Sequence, residues 1–187
     1  SHLIKIERAE LLLNLNRRID DFHYKKFMDL ILRRKKGEPI AYIVGFKEFW
    51  KNKFLVNSDV LIPRPDSETI GEQALKIIPK EASFNILDIG TGSGCIILSI
   101  LKERKKCFGI GMDISKKALK IAKINAKIQH IINRIKFVNS DIDKFCLGKY
   151  DIILSNPPYI NSFRINYLEN DIKDYEPKIA LDGGIDG

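Results

Sequence analysis

Apolar residues recur at spacings of three and four along residues 4–32. Ile6, Ala9, Leu12 and Leu13 come first, and Phe22, Phe27, Leu30 and Ile31 follow a polar break at residues 14–21. That period predicts a helical N-terminal segment in two pieces. Gly37, Pro39, Gly45, Pro63 and Pro65 then punctuate the chain, with aromatic and β-branched residues between them, which predicts a turn followed by a hairpin or extended linker. A helix-compatible stretch at 67–78 ends at Pro79. Beyond Ser83 short apolar runs alternate with helical periods. Strands are predicted over 85–89, 107–112, 135–138 and 150–154, and helices over 94–104 and 115–128. Strands alternating with helices require right-handed crossovers, so this half of the chain is read as α/β with a parallel, doubly wound, Rossmann-like sheet.

With 187 residues, 44% hydrophobic and 30% charged, the chain suits one domain with a small appendage. Its longest near-continuous apolar stretch, residues 95–101, is broken by Ser99 and falls far short of the roughly 20 residues that cross a bilayer, so no membrane partner is expected. The N-terminus shows no basic head followed by an apolar core, and secretion is not expected. Cys95, Cys107 and Cys146 form an odd set without CxxC spacing or a histidine at ligand distance. Neither a disulfide framework nor a metal site is expected, and the reading is a reducing, cytoplasmic compartment. The net charge of +8 is uneven: residues 101–150 carry 13 basic and 4 acidic side chains, whereas 151–187 carry 3 and 7. Lys116, Lys117, Lys120, Lys123 and Lys127 interleave with apolar residues as the outer face of an amphipathic helix. Such a face ordinarily serves solvation; the alternative is steering toward an anionic partner such as nucleic acid.

The first predicted strand runs into Asp88-Ile89-Gly90-Thr91-Gly92-Ser93-Gly94 and then a helix. Glycines let the backbone turn sharply and approach a ligand, and the helix start favours electron-rich groups, although a glycine turn also forms simply because a chain must reverse. Asp113 ends the next strand, where a carboxylate accepts hydrogen bonds from ribose hydroxyls. Asp88 would repel a diphosphate held by the same loop but not a cofactor with an amino-acid tail. Together these residues resemble the first two motifs of class I S-adenosylmethionine-dependent methyltransferases. The resemblance implies S-adenosyl-L-methionine as cofactor and S-adenosyl-L-homocysteine as product. It assigns Asp88, Gly90, Thr91, Gly92, Gly94, Asp113 and Ile114 to the methionine and ribose portions and Asp141 to the adenine end.

At the end of the fourth predicted strand stands Asn156-Pro157-Pro158-Tyr159. Two prolines fix the backbone and remove two N–H donors, which leaves acceptors. An amide or exocyclic amino nitrogen is a poor nucleophile because its lone pair is delocalised. Holding its hydrogens on the Asn156 side-chain oxygen and the Pro157 carbonyl would turn the lone pair toward an electrophilic methyl group, which is catalysis by positioning and electrostatics. Tyr159 would supply a flat wall, and Asn156 would also border the cofactor. The tetrapeptide resembles the motif of methyltransferases acting on planar nitrogens in DNA, ribosomal RNA or protein glutamine, and does not choose among them.

The choice comes from two upstream blocks, Gly37-Glu38-Pro39-Ile40-Ala41-Tyr42-Ile43-Val44-Gly45-Phe46-Lys47-Glu48-Phe49-Trp50 and Val60-Leu61-Ile62-Pro63-Arg64-Pro65-Asp66-Ser67-Glu68, and from Tyr175-Glu176-Pro177 with Ala180-Leu181-Asp182-Gly183-Gly184. These are similar, nearly residue for residue, to the protein-(glutamine-N5) methyltransferases that modify peptide chain release factors. The resemblance implies methyl transfer to the glutamine of the Gly-Gly-Gln loop, a release factor as partner, and no requirement for nucleic acid beyond weak electrostatic contact. It divides the chain into a helical recognition module at 1–50, a linker hairpin and helix at 51–84 that covers the site, and a methyltransferase module at 85–187. Phe46 is expected to face Tyr159 across the acceptor pocket, with Arg64 and Glu68 tying the linker to the site, while Trp50 anchors the linker to the core; the alternative is that Phe46, Phe49 and Trp50 all only anchor the linker and that Arg64 and Glu68 form a surface ion pair. Relative to the family pattern the N-terminal helices are short and the text stops at Gly187, so four strands of a seven-stranded sheet are expected. The rival readings are a nucleic-acid N-methyltransferase acting on adenine N6 or guanine N2, and a non-catalytic S-adenosylmethionine- or RNA-binding scaffold.

Overall fold

The computed structural model describes residues 2–145 and 148–187. Helices α1 (Arg8–Leu13), α2 (Asp21–Lys35) and α3 (Ile40–Val44) precede a hairpin of β1 (Phe46–Phe49) and β2 (Asn52–Leu55). Then come α4 (Glu68–Ile77), β3 (Asn85–Ile89), α5 (Cys95–Glu103), β4 (Phe108–Asp113), α6 (Lys116–Ile128), β5 (Ile135–Asn139) and β6 (Ile152–Ser155). The chain closes with β7 (Ile160–Asn161), α7 (Asn170–Lys173) and β8 (Asp182–Gly184). Between residues 67 and 155 the predicted elements fall within about two residues of these bounds, whereas α1 begins later and α2 ends later than the apolar period suggests, and β7, α7 and β8 are not predicted. The glycine and proline cluster hid α3, whose helical turn starts directly after Pro39 and stops at Gly45 in the left-handed region.

Four parallel strands pair in the order β5-β4-β3-β6. The chain enters at β3, winds outward through β4 to β5, and then reverses to place β6 on the other side of β3, the doubly wound pattern expected of the sequence. All four strands end at one edge, so the residues just beyond them are brought together. Ile86, Leu154, Ile135, Ile152 and Phe137 pack under Ile97, Leu98, Ile100 and Leu101 of α5. Strand β4 is thin where this layer is closest. A Cβ on Gly109 would stand 2.8 Å from both Ile97 and Leu101, and one on Gly111 would stand 2.9 Å from the Phe137 ring. Glycine there lets helix and loop approach the sheet more closely than a side chain allows.

Asp20 caps α2 by accepting from the His23 backbone N–H at 2.9 Å, yet none of its residues is buried. Phe22, Phe27 and Ile31 of the predicted apolar face are exposed and Leu30 is half-buried, and Leu32 beside them is exposed as well. The end of α2 is held instead by the C-terminal segment, where the Tyr175 hydroxyl donates to the Lys36 carbonyl at 2.9 Å and Asp171 pairs with Arg34 at 3.6 Å.

The hairpin turns at Trp50 and Lys51 with φ of 48° and 64°, the left-handed pair that a two-residue turn between twisted strands demands. Glu68 secures the turn by accepting from the Trp50 N–H at 2.9 Å, and the indole lies over Gly71 of α4. The other side of the hairpin docks on α6 through Asn125, which is fully buried. Its Oδ1 accepts from Leu55 N–H at 2.7 Å, and its Nδ2 donates to the carbonyls of Leu55 at 3.0 Å and Ser93 at 2.9 Å. One side chain thus replaces a missing strand for β2 and reaches the glycine loop. Asn125→Ala leaves these backbone groups without partners inside the protein, so we expect a loss of about 3 kcal/mol in urea unfolding; a loss below about 1 kcal/mol, a typical surface effect, would contradict this bracing role.

Candidate functional site

A cavity of about 390 Å³ opens at the carboxyl edge of the sheet, within the range of small-molecule sites. Gly90, Thr91, Gly92 and Ser93 form its floor, Asp113, Ile114 and Ser115 follow β4, Asp141 and Ile142 follow β5, and Asn156 to Pro158 follow β6. Gly90, Gly92 and Gly94 have φ of 69°, 55° and 80°, so the loop needs residues without Cβ atoms at alternate positions. The Asp113 carboxylate accepts from Gly92 N–H at 2.9 Å and Ser115 N–H at 2.8 Å. Its lone pairs are not exhausted by two donors, and it stays on the cavity wall. Asn139 fixes the bend after β4 by donating to the carbonyls of Asp113 at 3.0 Å and Ile114 at 2.8 Å. Ile114 and Ile142, each about half exposed, give the cavity an apolar slot beside two carboxylates.

Asp88 and Gly94 do not line this cavity. Gly94 lies at the start of α5, where a Cβ would stand 3.0 Å from Leu98. Asp88 lies beneath the loop, 2% exposed, and its Oδ2 accepts from the Thr91 hydroxyl at 2.7 Å. Burial pushes the Asp88 carboxyl up to about 7, the Thr91 hydroxyl opposes the shift, and the Asp113 charge adds to it. Cys95, also on the cavity wall, is pushed up to about 12 by burial and remains a thiol.

A second cavity of about 260 Å³ adjoins the first. Both are bordered by Leu61, Arg64, Ser67, Asn156, Pro157 and Ala180. The Asn156 amide therefore stands in a shared wall. Its Nδ2 donates to the hydroxyl of buried Ser67 at 3.3 Å, which orients the planar amide with its carbonyl oxygen at the opposite end. Tyr159 lines the second cavity only and is 70% exposed.

Phe46 corrects the sequence expectation, because it borders neither cavity. Pairing of β1 with β2 sets its ring beside the Lys53 ammonium, 5.1 Å from the centroid, and the His2 ring at 6.0 Å. Glu68 is likewise taken up by the hairpin turn, while Arg64 pairs with Glu176. Of the linker, residues 59–67 and Ile70 of α4 rather than the hairpin reach the cavities. Ser67 and the far side of the wall, Pro177, Ile179 and Ala180, were missed as site residues. Only the proline-rich segment at 63–65 offered a local signal, since a rigid stretch after a linker can serve as a wall.

Folding keeps a proton on Asp88 that the unfolded chain releases above its ordinary value near 3.8. Stability should therefore fall as pH rises from about 4 to about 7 and level off above it. Asp88→Asn, which keeps an acceptor for Thr91, should flatten that slope in urea midpoints between pH 4.5 and 8, roughly the window of the shift; equal slopes for both proteins would rule out Asp88 as its source.

Among the described residues no cluster of His, Cys, Asp and Glu is placed to hold a metal, and no helix is long and apolar enough to cross a membrane. Cys95 and Cys107 are free and buried, and Cys146 lies outside the described residues. Two family descriptions match in order along the chain, PrmC N-terminal domain over residues 1–45 and Methyltransferase small domain over 70–170. The release factor glutamine methyltransferase of Caulobacter vibrioides is 37% identical over 183 residues, 97% of this chain and 63% of its own length. That of Clostridium acetobutylicum is 40% identical over 190 residues, 100% of this chain and 67% of its own. An RNA methyltransferase from Salinibacter ruber in complex with S-adenosyl-L-homocysteine superposes with a TM-score of 0.44 at 21% identity, over 51% of this chain and 60% of that one. The chain thus spans a little under two thirds of the Caulobacter relative. Both domain matches, and 40% identity across 67% of the Clostridium protein, show that the chain belongs to the release factor glutamine methyltransferase family.

Proposed function

We propose that this protein transfers a methyl group from S-adenosyl-L-methionine to the side-chain amide nitrogen of the glutamine in the Gly-Gly-Gln loop of a peptide chain release factor, in the cytoplasm. The observation that carries this reading is the Asn156 amide, oriented by Ser67, in the wall shared by two adjoining cavities. The larger of these two cavities suits the cofactor: the Asp113 and Asp141 carboxylates and the apolar slot match ribose hydroxyls and a flat base, and its loop offers room without a side chain. When bound, the cofactor supplies an electrophilic methyl group on a sulfonium. The chain's own task is to present a weak nucleophile. Asn156 Oδ1 and the Pro157 carbonyl accept the hydrogens of the target amide, and Tyr159 covers its flat face from the second cavity. No strong base is called for, because the product proton is acidic once the nitrogen is alkylated. Asp88 acts through Thr91 on the shape of the loop.

The exposed apolar face of α2 and the rest of residues 1–50 would meet the release factor. A second reading, transfer to adenine or guanine, draws on one observation, the lysine face of α6, where Lys117 has only a 3.6 Å contact with Asp59. Such a face supports salt-dependent contact and carries no base selectivity.

Two substitutions test the assignments. Asp113→Ala should weaken S-adenosyl-L-homocysteine binding by about 1.5–3 kcal/mol in calorimetry, the worth of hydrogen bonds to a charged acceptor, and an unchanged dissociation constant would remove Asp113 from the cofactor site. Asn156→Ala should lower kcat on a release factor by roughly 10²–10³, as loss of one preorganised group does, with cofactor affinity nearly constant. Normal turnover by that variant would exclude the amide-orienting mechanism.

A further inference from the structure

Glu176 is a carboxylate buried without a part in the chemistry above. Its side chain is 1% exposed, and it meets two groups from one distant stretch of chain: Oε2 accepts from the Ile62 N–H at 3.0 Å, and Oε1 pairs with the Arg64 guanidinium. Burying a charge costs free energy that apolar packing at the same place would not. The neighbourhood is apolar, since Tyr42, Val56, Val60 and Ile62 form a small core there with Ala118 and Ile121 of α6. The stretch that Glu176 holds carries Leu61, Arg64 and Ser67, which border both cavities. Its own stretch carries Pro177 and Ala180, on the far side of the same opening. Glu176 thus fastens one wall to the other at their root. The Tyr42 hydroxyl completes the fixture by donating to the Val60 carbonyl at 2.6 Å.

We propose that Glu176 is a positioning residue that, through Ile62 and Arg64, sets the separation of the two walls and with it the place of Ser67 against Asn156. This deepens the methyltransferase reading and rests on it for its catalytic consequence. The ion pair fixes direction as well as distance, because a guanidinium fork meets a carboxylate in few geometries. Arg64 is 36% exposed on its side chain, so it connects the buried carboxylate to the cavity surface.

The test uses Glu176→Gln, which keeps size and an acceptor for Ile62 but removes the charge facing Arg64, together with Arg64→Gln and the double variant. We expect each single variant to bind S-adenosyl-L-homocysteine roughly tenfold more weakly, the low end for a charged hydrogen bond, with faster amide hydrogen exchange over residues 61–67. The melting temperature should stay within about 4 °C of wild type. The double variant should bind no worse than either single one, because both remove the same contact. On a release factor the single variants should lower kcat while the KM for the protein substrate changes less. Glu176→Asp, too short to reach both partners, should not restore kcat. Unchanged affinity and exchange with a lowered melting temperature would overturn the proposal, as would additive losses in the double variant. Should Glu176→Gln fail to fold, Arg64→Gln carries the same readouts. If the wild-type protein methylates no release factor, the functional reading falls, while affinity and exchange still decide whether Glu176 holds the walls.

Discussion

The site depends on how closely one layer of the molecule can lie against β4. Gly111 has no side chain where a Cβ would meet the Phe137 ring at 2.9 Å and the Thr91 hydroxyl at 3.1 Å. With that space left open, the glycine loop drops onto the strand, and Thr91 N–H donates to the Met112 carbonyl at 2.9 Å. The same descent brings the Gly92 N–H onto Asp113. A larger residue in this strand would raise the loop away from the sheet edge and open the cavity floor. Overpacking of this kind costs about 1–3 kcal/mol in a core, and here it would also displace the groups that shape the cavity.

Around that floor the other walls come from segments far apart in the chain. Residues 59–67 arrive from the N-terminal side and 177–182 from the C-terminal side, and Asn156 stands between them at the end of β6. The chemistry that the proposed methyl transfer would ask of this wall is modest in acid–base terms and strict in geometry. An amide nitrogen reacts only when its hydrogens are held and its lone pair is aimed, so neutral acceptors on a rigid Asn-Pro-Pro turn serve better than a carboxylate, whose charge would also attract the sulfonium. Rigidity is supplied from outside the turn, by the hydroxyl of Ser67 and the segment that carries it.

Local patterns made much of this readable. Short apolar runs located β3 and β4, whose middle residues are largely buried, and helical periods located α5 and α6. Parallel topology then forced Asp88, Asp113, Asp141 and Asn156 to one edge. What stayed hidden depends on contacts between distant segments. Asn125 reads as one polar residue in an amphipathic helix, yet it pairs with β2 from 70 positions away. Glu176 reads as one residue of the Tyr175-Glu176-Pro177 block, and only the fold brings it to Ile62 and Arg64, at separations of 114 and 112. Phe46 was misplaced for the same reason. Its neighbours in sequence suggest a turn near the site, whereas strand pairing with β2 decides where its ring lies.

The proposed acceptor is an amide, and it can be identified directly. A bacterial-type release factor incubated with this protein and S-adenosyl-L-methionine should, on peptide mass spectrometry, gain one methyl group on the side-chain nitrogen of the Gly-Gly-Gln glutamine. An unmodified glutamine, with methyl groups found instead on adenine or guanine of nucleic acid offered in the same reaction, would contradict the account.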